Sequence, residues 1–511
     1  MLQKVRPEQI LTGWDFSTGA VKCLAFDVEG NVLAETRFPT DLWEKEGAIE
    51  LNLLQLEGQA RQTTREIAAQ LREMGRLEDW IAGGISATHH TAGRIDSLGG
   101  QIRRAICWND QTLAPFHQKG LERLGGMAEV YRRIGGPWAE RYTLSHLVKD
   151  EETLSATDWE RTYRILPHGG LAAGYLTKNF DVLSVSAAAS TGLMDFRTRR
   201  WSQEMLGALA SEKYRTLVWQ QLPQIVEADV PIGTLSETVA QDADLPESVR
   251  PWIFPTSDDQ QAGLVGGGAV EDGQLAVILG NSAVVNGSCA RIPAENVALD
   301  VMALNWGPYL WMRCYSNGAF FLDRVLGERP DFAHLEKEAA KLPPGSQGAM
   351  ILPFLVSEPS LGVEAPCLEW ISPPRSEGER YRACLEALAY LVALGVEEHR
   401  RAGEEIRTIT VSGGVAQSDL MCEILASVLD FPLQRLASRE GPALGAAVTA
   451  LYAVENHLRR QAGTLAEEPY TMSDAVRQMV RFREPVLPRA EWVEKYRHEK
   501  ERFRQHLSFH Q

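Results

Sequence analysis

Residues 11–27 read LTGWDFSTGAVKCLAFD and carry the clearest pattern of secondary structure in the chain. Two runs rich in apolar and β-forming residues flank a short turn built from Ser17, Thr18 and Gly19. Apolar runs on either side of small turn residues are typical of two strands joined tightly. The stretch therefore predicts a β-hairpin.

The residues that follow extend this hairpin into an α/β unit. A third strand is predicted over 31–38, and residues 53–74 show the apolar spacing of a helix. Short apolar runs predict further strands over 81–86 and 105–108, the second of which leads into a polar Asn-Asp pair. Polar residues at strand ends are where α/β folds place their chemistry.

The second half of the chain repeats this order. Residues 274–288 read QLAVILGNSAVVNGS, again two apolar runs around a small polar turn. A strand is predicted over 407–414, a helix over 419–429 and a final apolar helix from the turn at 440–445 through Ala453. The charged tail from Arg481 predicts a helix, with Trp492, Tyr496 and Phe503 packing onto the protein.

Length and composition agree with two duplicated units. The 511 residues exceed the size at which one hydrophobic core stops growing, and 44% hydrophobic with 23% charged residues is the range of globular proteins. Glycines and an Asp pair interrupt the pattern over 255–268. We therefore expect two lobes, residues 10–262 and residues 263–511.

Charge and hydropathy limit the partners. The net charge is −16 and no dense run of Lys and Arg is present, so nucleic acid is not an expected partner. No segment approaches the roughly 20 apolar residues of a membrane-spanning helix, and the first ten residues lack the apolar stretch of a secretion signal. Seven scattered cysteines suggest neither a disulfide framework nor a zinc site. We expect a cytoplasmic protein without a membrane partner.

Three turns have the composition of phosphate-binding loops, in which small residues let backbone amides approach oxygens. They are residues 15–19 (DFSTG), 280–282 (GNS) and 412–418 (SGGVAQS). Hairpin turns in any α/β protein use the same residues, so each turn alone is a weak signal. The G-x-x-x-x-G-K-[ST] loop and the G-x-G-x-x-G motif opening a helix are missing from the sequence.

Two aspartates are candidates for chemistry. Asp15 lies where a carboxylate could hold Mg²⁺ against phosphate oxygens, and an ordinary turn aspartate is the alternative. Asp259 could accept a proton from a hydroxyl group, although both Asp258 and Asp259 could instead cap the helix that begins near Gln260. We expect the two neighbouring side chains to diverge.

A sugar-binding candidate is the run Trp108, Asn109 and Asp110. It combines an apolar ring with an amide and a carboxylate, as sugar C–H faces and hydroxyls require.

The order of these motifs resembles the FGGY carbohydrate kinases from about Thr12 to Arg504. The motifs that carry the resemblance are DFSTGAVK (15–22), WND (108–110), DQQAG (259–263), LGNS (279–282), SGG (412–414) and EGPALGA (440–446). The resemblance implies an α/β fold of two actin-like (ribonuclease H-like) lobes, each a mixed sheet flanked by helices, with sugar and nucleotide in the cleft between them.

The resemblance also implies roles for single residues. Asp259 matches the catalytic base, and Asp15 matches the carboxylate beside Mg²⁺. The sugar-binding positions are His90, Trp108, Asn109, Asp110 and Gln260. The ATP-binding positions are Ser17, Thr18, Gly280, Asn281, Ser282, Gly413, Gly414 and Ser418. The partners implied are ATP and a small sugar, and a homodimer is compatible with this class of enzyme.

Several departures from the family pattern bear on which sugar the chain would bind. Ser17 stands where a glycine is common, Asn281 where a threonine is common and Val415 where a glycine is common. Thr112 stands where many members have arginine. The runs GWDFST (13–18) and RYT (141–143) resemble xylulose kinases, which favours D-xylulose or another ketopentose. Ribulose, rhamnulose or glycerol as the acceptor, a sensor with little turnover, and an actin-like ATPase with a protein partner are the alternatives.

Overall fold

The computed structural model describes residues 4–255, 257–293, 299–327, 330–438 and 440–508. Its strands, in chain order, are β1 (Ile10–Phe16), β2 (Ala20–Asp27), β3 (Val32–Pro39), β4 (Leu42–Lys45), β5 (Ala48–Leu51), β6 (Trp80–Ala87), β7 (Ala92–Ile95), β8 (Gln101–Ile106), β9 (Arg164–Pro167), β10 (Val182–Ser184), β11 (Met194–Asp195), β12 (Arg200–Trp201), β13 (Gln224–Val226), β14 (Gly233–Thr234), β15 (Trp252–Ile253), β16 (Ser257–Asp258), β17 (Gln274–Leu279), β18 (Ala283–Cys289), β19 (Asp300–Ala303), β20 (Tyr309–Tyr315), β21 (Met350–Phe354), β22 (Cys367–Ser372), β23 (Thr408–Ser412) and β24 (Leu433–Arg435).

The helices alternate with these strands. They are α1 (Leu53–Glu73), α2 (Ala114–Leu124), α3 (Met127–Ile134), α4 (Thr143–Thr153), α5 (Ala156–Arg161), α6 (His168–Thr177), α7 (Val185–Ala189), α8 (Glu212–Gln221), α9 (Glu237–Asp242), α10 (Asp259–Gly266), α11 (Phe320–Leu326), α12 (Phe332–Ala340), α13 (Glu377–Arg401), α14 (Asp419–Leu429), α15 (Gly441–Gln461), α16 (Met472–Met479) and α17 (Ala490–Ser508). No helix in the described part of the chain has the length and apolar character needed to cross a membrane.

Two mixed sheets form the centre of the molecule, and they share one strand order. In the first, β3, β2 and β1 are antiparallel and β6 lies parallel to β1, followed by β15 and β14, with β16 also paired to β6. In the second, β20, β18 and β17 are antiparallel and β23 lies parallel to β17, followed by β24. The predicted repeat of architecture is therefore present, and the predicted α/β fold class is confirmed.

The core is divided into clusters. One gathers the first sheet with α1, α4 and α6 and continues onto β19 and β20 of the second sheet. A second gathers β17, β18 and β23 with α13, α14 and α17. Trp492, Tyr496 and Phe503 of α17 pack in the second cluster, as the sequence predicts. The boundary between the lobes at residue 262 stays a prediction.

Some predicted elements differ in their limits. The strand expected over 105–108 is β8, which begins earlier, at Gln101. Its arginines interrupt the apolar pattern in the sequence, although Arg103 forms an ion pair with the buried Asp150. Helix α15 continues to Gln461. The tail becomes helical only at Ala490, since prolines at 485 and 488 lack the backbone N–H that a helix interior needs.

Helix α15 comes from the second half of the chain but packs on the first sheet and on α10. Glycines allow this close approach: a Cβ on Gly445 would lie 1.8 Å from the carbonyl oxygen of Ala262 in α10. A Cβ on Gly13 in β1 would lie 1.9 Å from the carbonyl oxygen of Ala443. Both contacts are therefore between backbone atoms, so no side chain could move to make room for an added methyl group.

Replacement of Gly445 by alanine tests this contact. The added methyl group must push α10 and α15 apart, so Gly445→Ala should lower the free energy of unfolding by about 2 kcal/mol or more, as overpacking does. The control is Gly58→Ala, on the exposed face of α1, where nothing lies within 4 Å of the new methyl group. That change should raise stability by up to about 1 kcal/mol. Equal unfolding midpoints in denaturant for Gly445→Ala and the native protein would contradict the packing argument.

Candidate active site

A cleft of about 560 Å³ lies between the turns of the two central hairpins. Eight residues singled out in the sequence line it: Ser17, Thr18, His90, Trp108, Asp110, Asp259, Gln260 and Ser282. The β1–β2 turn supplies the first two and the β17–β18 turn supplies Ser282. The cleft is thus built from both repeats.

Asp15 lies at the end of β1, next to the first turn. It is buried, and one carboxylate oxygen accepts a hydrogen bond of 2.9 Å from the hydroxyl of Ser86 on the neighbouring strand β6. Burial raises the pKa of Asp15 to about 6, although Lys22 acts to lower it. Among the described residues Asp15 makes no ion pair. A buried carboxylate without a bonded cation is a suitable ligand for Mg²⁺.

Asp258 and Asp259 have different partners, as predicted. Asp258 caps α10: one oxygen accepts bonds of 2.9 Å from the backbone N–H groups of both Gln260 and Gln261, and the other accepts the hydroxyl of Ser186. Asp259 lines the cleft instead and accepts a bond of 3.2 Å from the backbone N–H of His89. Helix capping therefore explains Asp258 but leaves the Asp259 carboxylate for chemistry.

The surroundings of Asp259 favour its protonated form. Desolvation at the floor of the cleft raises its pKa to about 8, and the negative charges of Asp258 and Asp15 act in the same direction. An oxygen of each of Asp258 and Asp259 and a ring nitrogen of His89 all lie within 4.8 Å of one another. Asp259 can therefore take up a proton readily near neutral pH.

His90 presents one ring nitrogen without a protein partner. It follows β6 with a φ of 59°, and its Nδ1 lies 3.0 Å from the carbonyl oxygen of Ser190. A carbonyl can only accept, so Nδ1 carries the hydrogen. Burial lowers the pKa of His90 well below its usual value, which keeps the ring neutral. Its buried Nε2 has no partner in the described structure and is an acceptor beside the cleft.

Aromatic stacking holds His90 in place. Its ring stacks on Tyr142, with centroids 4.1 Å apart, and on His89, with centroids 3.7 Å apart. His89 was not among the predicted site residues, yet it lines the cleft as well and its backbone N–H donates to Asp259.

The run Trp108 to Asp110 is only partly open to the cleft. Trp108 is 42% exposed and lines the cleft. The two carboxylate oxygens of Asp110 accept hydrogen bonds from the backbone N–H groups of Ile49 and Thr112, at 3.0 and 2.8 Å. Asn109 does not line the cleft. The indole face is therefore the most available of the three groups.

The second repeat supplies two further turns. Gly280 and Asn281 form the β17–β18 turn, which the backbone of Ala319 and Gly318 holds with bonds of 2.7 and 2.9 Å. Gly413 has a φ of 98°, and a Cβ on it would lie 2.3 Å from the carbonyl oxygen of Leu279 at the end of β17. The two turns are neighbours, although Gly280, Asn281, Gly413 and Gly414 lie outside the cleft lining.

Ser418 already has structural partners. Its hydroxyl caps α14 by accepting the N–H of Met421 at 2.9 Å, and it donates to the carboxylate of Glu336 at 2.8 Å. This hydroxyl stabilises the turn that contains Gly413.

Five charged residues that line the cleft were assigned no site role from the sequence. They are Glu140, Arg141, Asp300, Arg313 and Glu358. Arg141 and Asp300 form an ion pair that joins the two halves of the chain across the cleft. The local sequence around Arg141 was a signal, whereas Asp300 had none.

Comparisons with known proteins show which family the chain resembles over most of its length. Models of the FGGY family of carbohydrate kinases match residues 10–266 with the N-terminal domain and residues 323–454 with the C-terminal domain. A xylulose kinase of Staphylococcus epidermidis is 24% identical over 456 residues, covering 87% of this chain and 88% of the relative. A glycerol kinase of Alkaliphilus oremlandii is 23% identical over 472 residues, covering 86% and 88%.

The fold has solved relatives as well. A ligand-bound xylulose kinase from Lactobacillus acidophilus superposes with a TM-score of 0.81 at 17% identity, covering 98% of each chain. At this identity the likeness establishes the fold, two actin-like domains.

Proposed function

The chain belongs to the FGGY family of carbohydrate kinases, and from that premise we propose that it phosphorylates a ketopentose such as D-xylulose, with Asp259 as the general base. As a member of this family it is an ATP-dependent sugar kinase, so a sugar and ATP are its substrates. The acceptor sugar and the roles of single residues are the proposed part.

The observation that carries the proposal is that Asp259 lines one cleft together with two kinds of group. The sugar candidates His90 and Trp108 line it, and so do Thr18 and Ser282 of the two hairpin turns. A sugar hydroxyl held between them would meet a carboxylate whose pKa is raised to about 8. A base of that strength accepts a proton efficiently near neutral pH.

The proposed reaction balances as a single displacement. The sugar oxygen forms a bond to the γ-phosphorus while the bond from phosphorus to the bridging β,γ-oxygen breaks. ADP leaves with the electron pair of that bond, and the hydroxyl proton passes to Asp259. The protein's main task is to place the groups and to keep water out.

The first-turn residues Ser17 and Thr18 would bind phosphate, together with Gly280, Asn281 and Ser282 of the second turn. The turn with Gly413, Gly414 and Ser418 would hold the adenine and ribose side. We assign Asp15 to Mg²⁺, directly or through water. When bound, Mg²⁺ neutralises charge on the phosphate oxygens.

On the sugar side, the Nε2 of His90 would accept a hydroxyl hydrogen and the Trp108 ring would cover a C–H face. Gln260 lines the cleft next to Asp259, and we assign it to the sugar too. Asn109 and Asp110 would act mainly by holding the position of Trp108.

A sugar panel tests the acceptor. Phosphorylation should be fastest with D-xylulose and slower with D-ribulose, L-rhamnulose and glycerol, measured as ADP release at equal sugar concentration. Glycerol is the most informative comparison, because a glycerol kinase is among the relatives. If turnover were fastest with glycerol, glycerol would replace the ketopentose as the acceptor. If none of the sugars led to ADP release, the result would favour a sensor.

Paired aspartate variants test the base. Asp259→Asn keeps the size of the side chain but cannot take up the proton, so turnover should fall roughly 10²-fold or more while sugar and ATP still bind. The matched control is Asp258→Asn, since asparagine caps helices about as well as aspartate. Near-native turnover of Asp259→Asn would refute the assignment, and loss of turnover in Asp258→Asn alone would move the base by one residue.

A further inference from the structure

The helix that carries Asp259 is held by a buried serine outside the cleft. Ser186 lies in α7, is fully buried and does not line the cleft. Its hydroxyl donates to a side-chain oxygen of Asp258 and accepts the backbone N–H of Asp258 at 3.0 Å. Ser186 thus bonds both the backbone and the side chain of the residue before Asp259.

A buried asparagine from the other repeat completes the arrangement. Asn305 follows β19, and its Oδ1 accepts the N–H of Ser186 at 2.9 Å. Its own N–H donates to Oε1 of Gln261 in α10, also at 2.9 Å. Asn305 therefore bonds α7 and α10 at the same time, from the edge strand of the second sheet.

Gln261 closes the network towards the first sheet. Its side-chain amide donates to the hydroxyl of Ser257 at 2.5 Å, and Ser257 pairs in register with Ser86, which bonds Asp15. All of these side chains are buried. The network thus extends from the start of α10, which carries Asp259, to the strand pair β16–β6, whose Ser86 bonds Asp15.

We propose that Ser186 and Asn305 are positioning residues for phosphoryl transfer, which hold the start of α10 so that the Asp259 carboxylate faces the sugar hydroxyl. This inference rests on Asp259 being the base. Neither residue lines the cleft, and both act through Asp258 and Gln261.

The physical reason is the short distance over which a proton is transferred. A base must lie within hydrogen-bond reach of the hydroxyl, and a displacement of about 1 Å can lower the rate about 100-fold. Without the Ser186 hydroxyl, the buried N–H and carboxylate of Asp258 lose a partner and the first turn of α10 must shift to regain one. Asn305 extends this dependence to the second sheet, so the base is placed correctly only when β19 is docked on α7.

Kinetics with D-xylulose and ATP, or with the fastest sugar of the panel, test the proposal. Ser186→Ala and Asn305→Ala should lower kcat about 10- to 100-fold, while the sugar KM and the nucleotide Kd stay within about twofold of the native values. Ser186→Thr retains a hydroxyl and should restore most of kcat. The matched control is Ser184→Ala, which removes the buried cap of the same helix and should lower the unfolding temperature without lowering kcat.

A double variant separates positioning from general destabilisation. In the Asp259→Asn background no base remains to be misplaced, so adding Ser186→Ala should lower kcat by less than about threefold. Native kcat in Ser186→Ala, or an undiminished further loss in the double variant, would overturn the proposal. Full turnover of Asp259→Asn itself would instead show that the proposed base is wrong, which keeps the two failures distinct.

Discussion

The carboxylates of Asp15, Asp258 and Asp259 share one buried region, and among the described residues none of them forms an ion pair. The architecture around the cleft depends on giving each carboxylate different hydrogen-bond partners. Asp15 ends β1 on one side of β6, and Asp258 ends β16 on the other side. Their charges raise the pKa of Asp259 beyond what burial alone would do. Hydroxyls and backbone N–H groups hold Asp15 and Asp258, whereas Asp259 accepts a bond from the backbone N–H of His89 and lines the cleft.

The repeated strand order explains why such a site lies between two sheets. In each repeat a hairpin ends in a turn of small residues, and a parallel strand beside it ends at the same edge. Because α15 returns from the second repeat to pack on β1 and α10 through backbone contacts at Gly13 and Gly445, the two edges face each other across one cleft. The turn residues Thr18 and Ser282 therefore line one cleft with Asp259 at the start of α10.

The sequence predicted the parts of this arrangement that local patterns encode. Both hairpins, α14, the packing of α17 and the pairing of small-residue turns follow from apolar periodicity and turn chemistry, and the family motifs located Asp15 and Asp259. The short strands β4, β5, β7 and β9 were not predicted, because their few residues carry little periodicity. Asp300, Ser186 and Asn305 became visible only in three dimensions, since each acts through contacts with residues more than 70 positions away.

The pH dependence of kcat/KM for the sugar tests the account most directly, because at low substrate concentration it reports the free enzyme. A base whose pKa is raised to about 8 is mostly protonated at pH 6, so kcat/KM should rise about tenfold per pH unit and level off near pH 8. In Asp259→Asn the residual rate should lose this rising limb. A native profile that is flat between about pH 6 and 9, or a rising limb that persists in Asp259→Asn, would contradict the assignment of Asp259 as the base.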